Sequence, residues 1–231
     1  MVFDVDGTLV DHDGAQLAGL TTYLAGLGEP VSHERWARWR SLEEHHFARY
    51  LSGELSFADQ RRHRVRDFTI EPMDDATADL WFDGYRQAFE ASWAVFDDVL
   101  PALLVLQDRP LAAFSNVPGD WTRHKLASVG LTDRFDVVLG TDDVGAAKPD
   151  AKTFVGVCDA LGVDPQQTWH VGDRYLVDAV GARQAGLRGV WLDRPGADPN
   201  GRRPPQPPDP GVEVVASLTD FAALVASARI G

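Results

Sequence analysis

Met1-Val2-Phe3-Asp4-Val5-Asp6-Gly7-Thr8-Leu9-Val10 opens the chain. An apolar run leads into two aspartates two residues apart. In a strand, residues i and i+2 share a face. A strand over residues 1–5 points Asp4 and Asp6 the same way at its carboxyl end, and Gly7 lets the backbone turn there. Two like charges so placed repel each other. They call for a cation, a shared proton or a chemical task. Taken alone, Asp6-Gly7 is an ordinary turn dipeptide, so the rest of the chain decides what the pair means.

From about residue 93 onward, short apolar runs alternate with helical stretches. Runs at 111–114, 137–139, 169–171, 189–192 and 212–215 read as strands. Val99, Leu103 and Leu106 lie on one helical face behind Asp97-Asp98, which can cap that helix. Leu126 and Val129 belong to a helix that stops at Gly130. Tyr175, Ala179 and Ala182 line another that stops at Gly186. This alternation predicts an α/β fold with a Rossmann-like, doubly wound parallel sheet. Such sheets bind ligands beyond the carboxyl ends of their strands. Residues 194–211 are proline-rich, with Pro204-Pro205 and Pro207-Pro208, and read as an exposed loop before the last strand.

Residues 14–92 have a different texture, rich in Arg, His, Trp and Glu. Apolar spacing over 16–27, 32–51, 56–68 and 75–89 is helical, and no strand is evident. The chain therefore divides into a core, residues 1–13 and 93–231, and an inserted α-helical domain, residues 14–92.

Composition narrows the partners. The chain has 231 residues, 44% of them hydrophobic, enough to bury a real core. A formal net charge of −13 disfavours nucleic acid and anionic membrane surfaces. A site for an anion must then be locally basic or metal-loaded. Cys158 is the only cysteine, which rules out an intramolecular disulfide, and its apolar helical setting reads as structural. Neither a signal-peptide pattern nor an apolar run of membrane-spanning length is present, so a cytoplasmic location is expected.

Four polar motifs fall at the inferred strand ends. They are Asp4-Val5-Asp6-Gly7-Thr8, Ser115-Asn116, Lys148-Pro149-Asp150, and Gly172-Asp173 with Asp178 five residues on. Separately, the last three have plain readings: a loop before a helix cap, a proline-initiated helix start, and a strand exit with an acid on a solvated helix face. Four such coincidences in succession are a poor bet. In order and context the motifs resemble those of the haloacid dehalogenase superfamily, in its phosphatase branch. The insert stands where that family places a helical, C1-type cap.

The resemblance implies a function and a division of roles. Asp4 attacks phosphorus to give an aspartyl-phosphate, and Asp6 protonates the leaving oxygen and later deprotonates water. Magnesium is held by the Asp4 carboxylate, the Asp6 backbone carbonyl and Asp173, with Asp178 behind them. Ser115 and Asn116 bind the phosphoryl oxygens, and Lys148 neutralises charge beside Asp4. The expected substrate is a small phosphorylated metabolite. The dehalogenase branch generally lacks an acid at the Asp6 position, so Asp6 favours phosphate over carbon–halogen chemistry. A sugar phosphomutase uses both aspartates and stays open, as does a catalytically idle binding or regulatory protein on this fold.

The insert gathers Arg35, Trp36, Arg38, Trp39, Arg40, His45, His46 and Arg49, then Gln60-Arg61-Arg62-His63-Arg64. In an acidic chain, this cluster marks Arg62, with Arg64, as a candidate contact to the substrate's leaving group. His12 is a further candidate. Solvated helix faces are the plainer reading for any one of these residues. Trp36 and Trp39, three apart, read as packing residues.

Overall fold

The first strand, β1, is only Val2–Phe3, yet it lies at the middle of the sheet. The computed structural model describes residues 1–196 and 209–228. After β1 come four helices, α1 (His12–Gly26), α2 (His33–Leu51), α3 (Phe57–Thr69) and α4 (Asp75–Glu90). The chain continues through α5 (Val99–Leu106), β2 (Ala112–Phe114), α6 (Gly119–Ser128), β3 (Val137–Leu139), α7 (Thr141–Val144) and α8 (Ala151–Leu161). It then runs through β4 (Trp169–Gly172), a π-helical turn (Tyr175–Val180), α9 (Gly181–Gln184), β5 (Arg188–Leu192), β6 (Glu213–Val215) and α10 (Leu218–Ser227). Two compact units result: Met1–Asp11 with Ala94–Gly231, and His12–Trp93. The prolines at 204–205 and 207–208 lie outside the described residues.

The first unit holds an α/β core. Its strands are ordered β3-β2-β1-β4-β5-β6 and every pairing is parallel. Successive side chains of β1 point to opposite faces, and both faces are covered. Val2 packs with Ala112, Phe114 and Val157 of α8. Phe3 meets Phe221 of α10 edge-on, with ring centroids 5.6 Å apart. Burial on both faces is why the central strands β1 and β2 read as continuous apolar runs rather than alternating ones. Cys158 is buried beside Phe154, Ala182 and Leu187, and burial pushes its thiol pKa up, in keeping with a structural role. Between β1 and β4 the strand order switches direction, which opens a crevice at their carboxyl ends.

Asp98 departs from the sequence expectation. Its side chain does not cap α5. Instead it accepts two bonds from Arg194, at 2.8 and 3.0 Å, and one from the Leu218 amide at the start of α10. Arg194 also donates to the Thr8 carbonyl at 2.8 Å. The loop after β1 is thus tied to the ends of α5, β5 and α10.

The second unit is wholly helical among its described residues. Ser32, Ser56 and Asp74 each accept a backbone N–H three residues on, starting α2, α3 and α4. At its centre Trp39, fully buried, meets Phe68 and Tyr85 at centroid distances of 5.0 and 4.7 Å. The Arg64 guanidinium lies 3.7 Å from the Trp39 ring centroid and donates to Glu43 Oε1 (2.9 Å) and Gln16 Oε1 (2.8 Å). His12 joins this network through Gln16 and lies 3.6 Å from Glu43. His46 is buried against Asp67 at 2.8 Å and stacks on His63. No helix among the described residues is long and apolar enough to cross a membrane.

Burial lowers the pKa of His46 despite Asp67. The folded state therefore favours neutral imidazole. The stability this provides is full above the unfolded pKa of about 6.5 and is lost as pH falls below it. Denaturant melts across pH 5–8 should show this acid loss. His46→Gln should flatten it, and an equal slope in the variant would contradict the assignment.

Candidate active site

Asp4 leaves the ladder at the end of β1, where its N–H donates to the Val171 carbonyl of β4 at 3.0 Å. The expected strand over residues 1–5 is shorter than that, and the reason is local. The amides of Leu9 and Val10 both close onto the Val5 carbonyl, and Gly7 adopts φ +83°. A Cβ at Gly7 would collide with the Asp173 carboxylate. The motif is therefore a tight loop in which the two aspartates turn to different partners.

Asp4 is buried, and its Oδ1 accepts from Lys148 Nζ at 2.6 Å. The same ammonium donates to Asp178 Oδ1 at 2.7 Å. Asp178 also accepts the Arg174 N–H at 3.0 Å and contacts His170 Nε2 at 3.2 Å. It rides on the π-helical turn after β4, an irregularity often found at functional sites. Gly172 is required here because a Cβ would overlap the Asp178 carboxyl group. Asp173 follows β4 directly, and its carbonyl accepts from the Trp191 indole at 3.0 Å. Asn116 clamps the Lys148 backbone from both sides, accepting its N–H and donating to its carbonyl, each at 2.8 Å.

Carboxylate oxygens of Asp4, Asp173 and Asp178 lie within 4.8 Å of one another, all buried. Burial raises the Asp4 pKa to about 6, with Lys148 opposing the rise. The paired charges and hydrogen bonds of Lys148 and His170 hold Asp178 well below the usual carboxylate range despite burial, and the two carboxylates raise Lys148. Three buried carboxylates that bring oxygen donors this close together fit a divalent metal ion.

Asp6 stands apart from that cluster. Its Oδ2 accepts from Ser115 Oγ at 3.4 Å, and its Oδ1 pairs with Lys125 Nζ. The Asp6 carboxylate is thus not among the clustered metal-competent side chains, although residue 6 was expected at the metal through its backbone. Arg62, expected from the sequence as a substrate contact, has acidic partners within its own unit. Its guanidinium is engaged by Asp59, Asp75 and Asp79 at 2.7–3.4 Å, between α3 and α4. Lys125 was passed over in the sequence. The signal was present: Thr122, Lys125 and Leu126 form the buried side of α6, where a lysine is out of place.

A profile of the haloacid dehalogenase-like hydrolases matches residues 1–186. The chain belongs to this family. Among its relatives, phosphoglycolate phosphatase of Escherichia coli (strain K12) is 30% identical over 205 residues, covering 83% of this chain and 80% of that protein. Phosphoserine phosphatase of Thermus thermophilus is 41% identical over 97 residues, 42% of this chain but only 36% of that protein. Among solved structures, the HAD-hydrolase YfnB of Bacillus subtilis aligns with a TM-score of 0.81 over 97% of both chains. At 20% identity this last likeness concerns the fold.

Lys148→Met should leave Asp4 and Asp178 buried without their shared cation. Breaking a buried pair of this kind costs about 3–5 kcal/mol. Urea unfolding in chelator at pH 8 should register a loss of that size. A change below about 1 kcal/mol would mean that solvent or another group already neutralises the pair.

Proposed function

We propose that this protein is a magnesium-dependent phosphomonoester hydrolase acting on a small phosphorylated metabolite. The observation that carries the reading is the separation of the two motif aspartates. Asp4 is buried on Lys148 beside two further carboxylates, whereas Asp6 is held on its own by Ser115 and Lys125. This difference supports a reading in which one acid bonds with phosphorus and the other moves a proton. The names of the phosphatase relatives point the same way.

In this mechanism an Asp4 oxygen attacks phosphorus. The ester P–O bond breaks, and the leaving oxygen takes its proton from Asp6. Asp6, now a carboxylate, removes a proton from water. That water attacks the aspartyl-phosphate, and inorganic phosphate and free Asp4 are released. Lys148 offsets the negative charge that gathers beside Asp4, and Ser115 Oγ donates to a phosphoryl oxygen. Asn116 acts mainly by fixing the Lys148 backbone. Asp4 and Asp173, with Asp178 behind them, would hold magnesium, which would supply charge neutralisation for the incoming phosphate.

The two named relatives act on esters that join a phosphate to a short carboxylic acid. Phosphoglycolate and phosphoserine therefore head the compounds to assay. A sugar phosphomutase built on the same residues would return isomerised sugar phosphate with little free phosphate.

Phosphate release should require magnesium, stop in chelator, and fall at least 10³-fold in Asp4→Asn. Full activity in that variant would refute Asp4 as nucleophile, and no release from any ester would refute the hydrolase itself. A separate readout tests the metal. Magnesium at 100 times its Kd should stabilise the protein by about 2.7 kcal/mol, and Asp173→Asn should abolish the resulting rise in Tm.

A further inference from the structure

Lys125 is one of three lysines in the chain, and it is almost completely buried, at 1% exposure. It lies in the second turn of α6, on the face turned to the sheet. A lysine there gives up hydration for its charged end. Nothing in the packing of α6 asks for an ammonium, since Leu126 and Thr122 fill the neighbouring positions. The charge has a directed use instead: Nζ pairs with Asp6 Oδ1. Asp6 Oδ2 faces Ser115 Oγ at 3.4 Å, so the carboxyl group is bracketed from two elements, α6 and the end of β2. Lys148 is committed elsewhere, to Asp4 and Asp178. The site therefore carries two separate buried ammoniums, one for each motif aspartate.

We propose that Lys125 is the positioning residue for Asp6, fixing the orientation in which that carboxyl group exchanges a proton with the ester oxygen and then with water. This rests on the phosphatase reading and deepens it. An aspartate on a glycine-turned loop has several rotamers open to it. A charge-assisted bond to one oxygen selects among them and leaves the other oxygen on the Ser115 side. Misplacing a catalytic group by about 1 Å can cost on the order of 10²-fold in rate. The effect of Lys125 should therefore appear in the chemical step and not in substrate binding.

The test uses the full-length magnesium enzyme and two kinds of ester. Phosphoglycolate releases an alkoxide that needs a proton, whereas p-nitrophenyl phosphate releases a nitrophenolate that leaves without one. Lys125→Met conserves volume and removes the charge, and Asp6 is exposed enough (21% of its side chain) to take up solvent. In single-turnover phosphorylation of the enzyme, Lys125→Met should slow phosphoglycolate about 10²-fold, the size expected for misplacement. The nitrophenyl burst should change less than about threefold, and KM for both should stay within about threefold, since binding is untouched. In an Asp6→Asn background, Lys125→Met should add almost nothing. Should the methionine variant fail to fold by circular dichroism, Lys125→Gln enters the same assays. Equal losses on both esters, or a full loss in the Asp6→Asn background, would overturn the positioning role while leaving the phosphatase reading intact. A wild-type enzyme that releases phosphate from neither these two nor any other phosphomonoester would overturn both.

Discussion

One ammonium between two buried carboxylates organises this site. Lys148 Nζ is 2.6 Å from Asp4 and 2.7 Å from Asp178, and all three groups are nearly withdrawn from water. Removing these charges from solvent costs several kcal/mol each, and only close contact and additional hydrogen bonds offset it. Those bonds come from the Arg174 amide and His170 on Asp178, and from the Asn116 clamp on the Lys148 backbone. Asp173 adds a third buried carboxylate whose oxygen lies within 4.8 Å of those of Asp4 and Asp178, a donor set receptive to a divalent cation.

The fold delivers these groups with very little regular structure. β1 has two residues and β4 has four, but as neighbours in a parallel sheet their ends lie side by side. Strand order runs outward in one direction from β1 through β2 to β3, and in the other through β4 to β6. Asp4 and Asp173 leave on either side of that switch point, while Ser115 leaves from β2 next door. Gly7 and Gly172 then let the two acidic loops approach each other, since a side chain at either position would strike Asp173 or Asp178.

Much of this was legible in the sequence because its causes are local. Apolar runs marked the strands at 112–114, 137–139 and 169–172 within a residue or so, since strands of a covered parallel sheet are mostly apolar, with buried His170 of β4 the exception. Ser32, Ser56 and the carboxyl-terminal glycines marked helix ends for the same local reason. The misses involve partners distant in sequence. Asp98 reads as a cap for α5, but its partner Arg194 is 96 residues away. Arg62 reads as a candidate substrate contact, and the sequence does not show that acids of the next helix engage it, one of them 17 residues on. Lys125 pairs with a residue 119 positions away. Periodicity shows which face a residue occupies and is silent on what meets it there.

The opening pair illustrates the limit best. A period-two argument places Asp4 and Asp6 on one face, where their repulsion is the problem to solve. The chain solves it by ending the strand after Phe3 and winding the next residues around the Val5 carbonyl. Two carboxylates adjacent in sequence thereby acquire unlike surroundings. Asp4 is held by Lys148 within a field of other acids, and Asp6 by Lys125 and Ser115 outside that cluster. Unlike surroundings are what allow two identical side chains to take different chemical parts. If both had remained on one strand face, a single cation would have served them as a unit and neither could act alone. The separation therefore depends on the loop that Gly7 permits, and the strand has to stop for that loop to form.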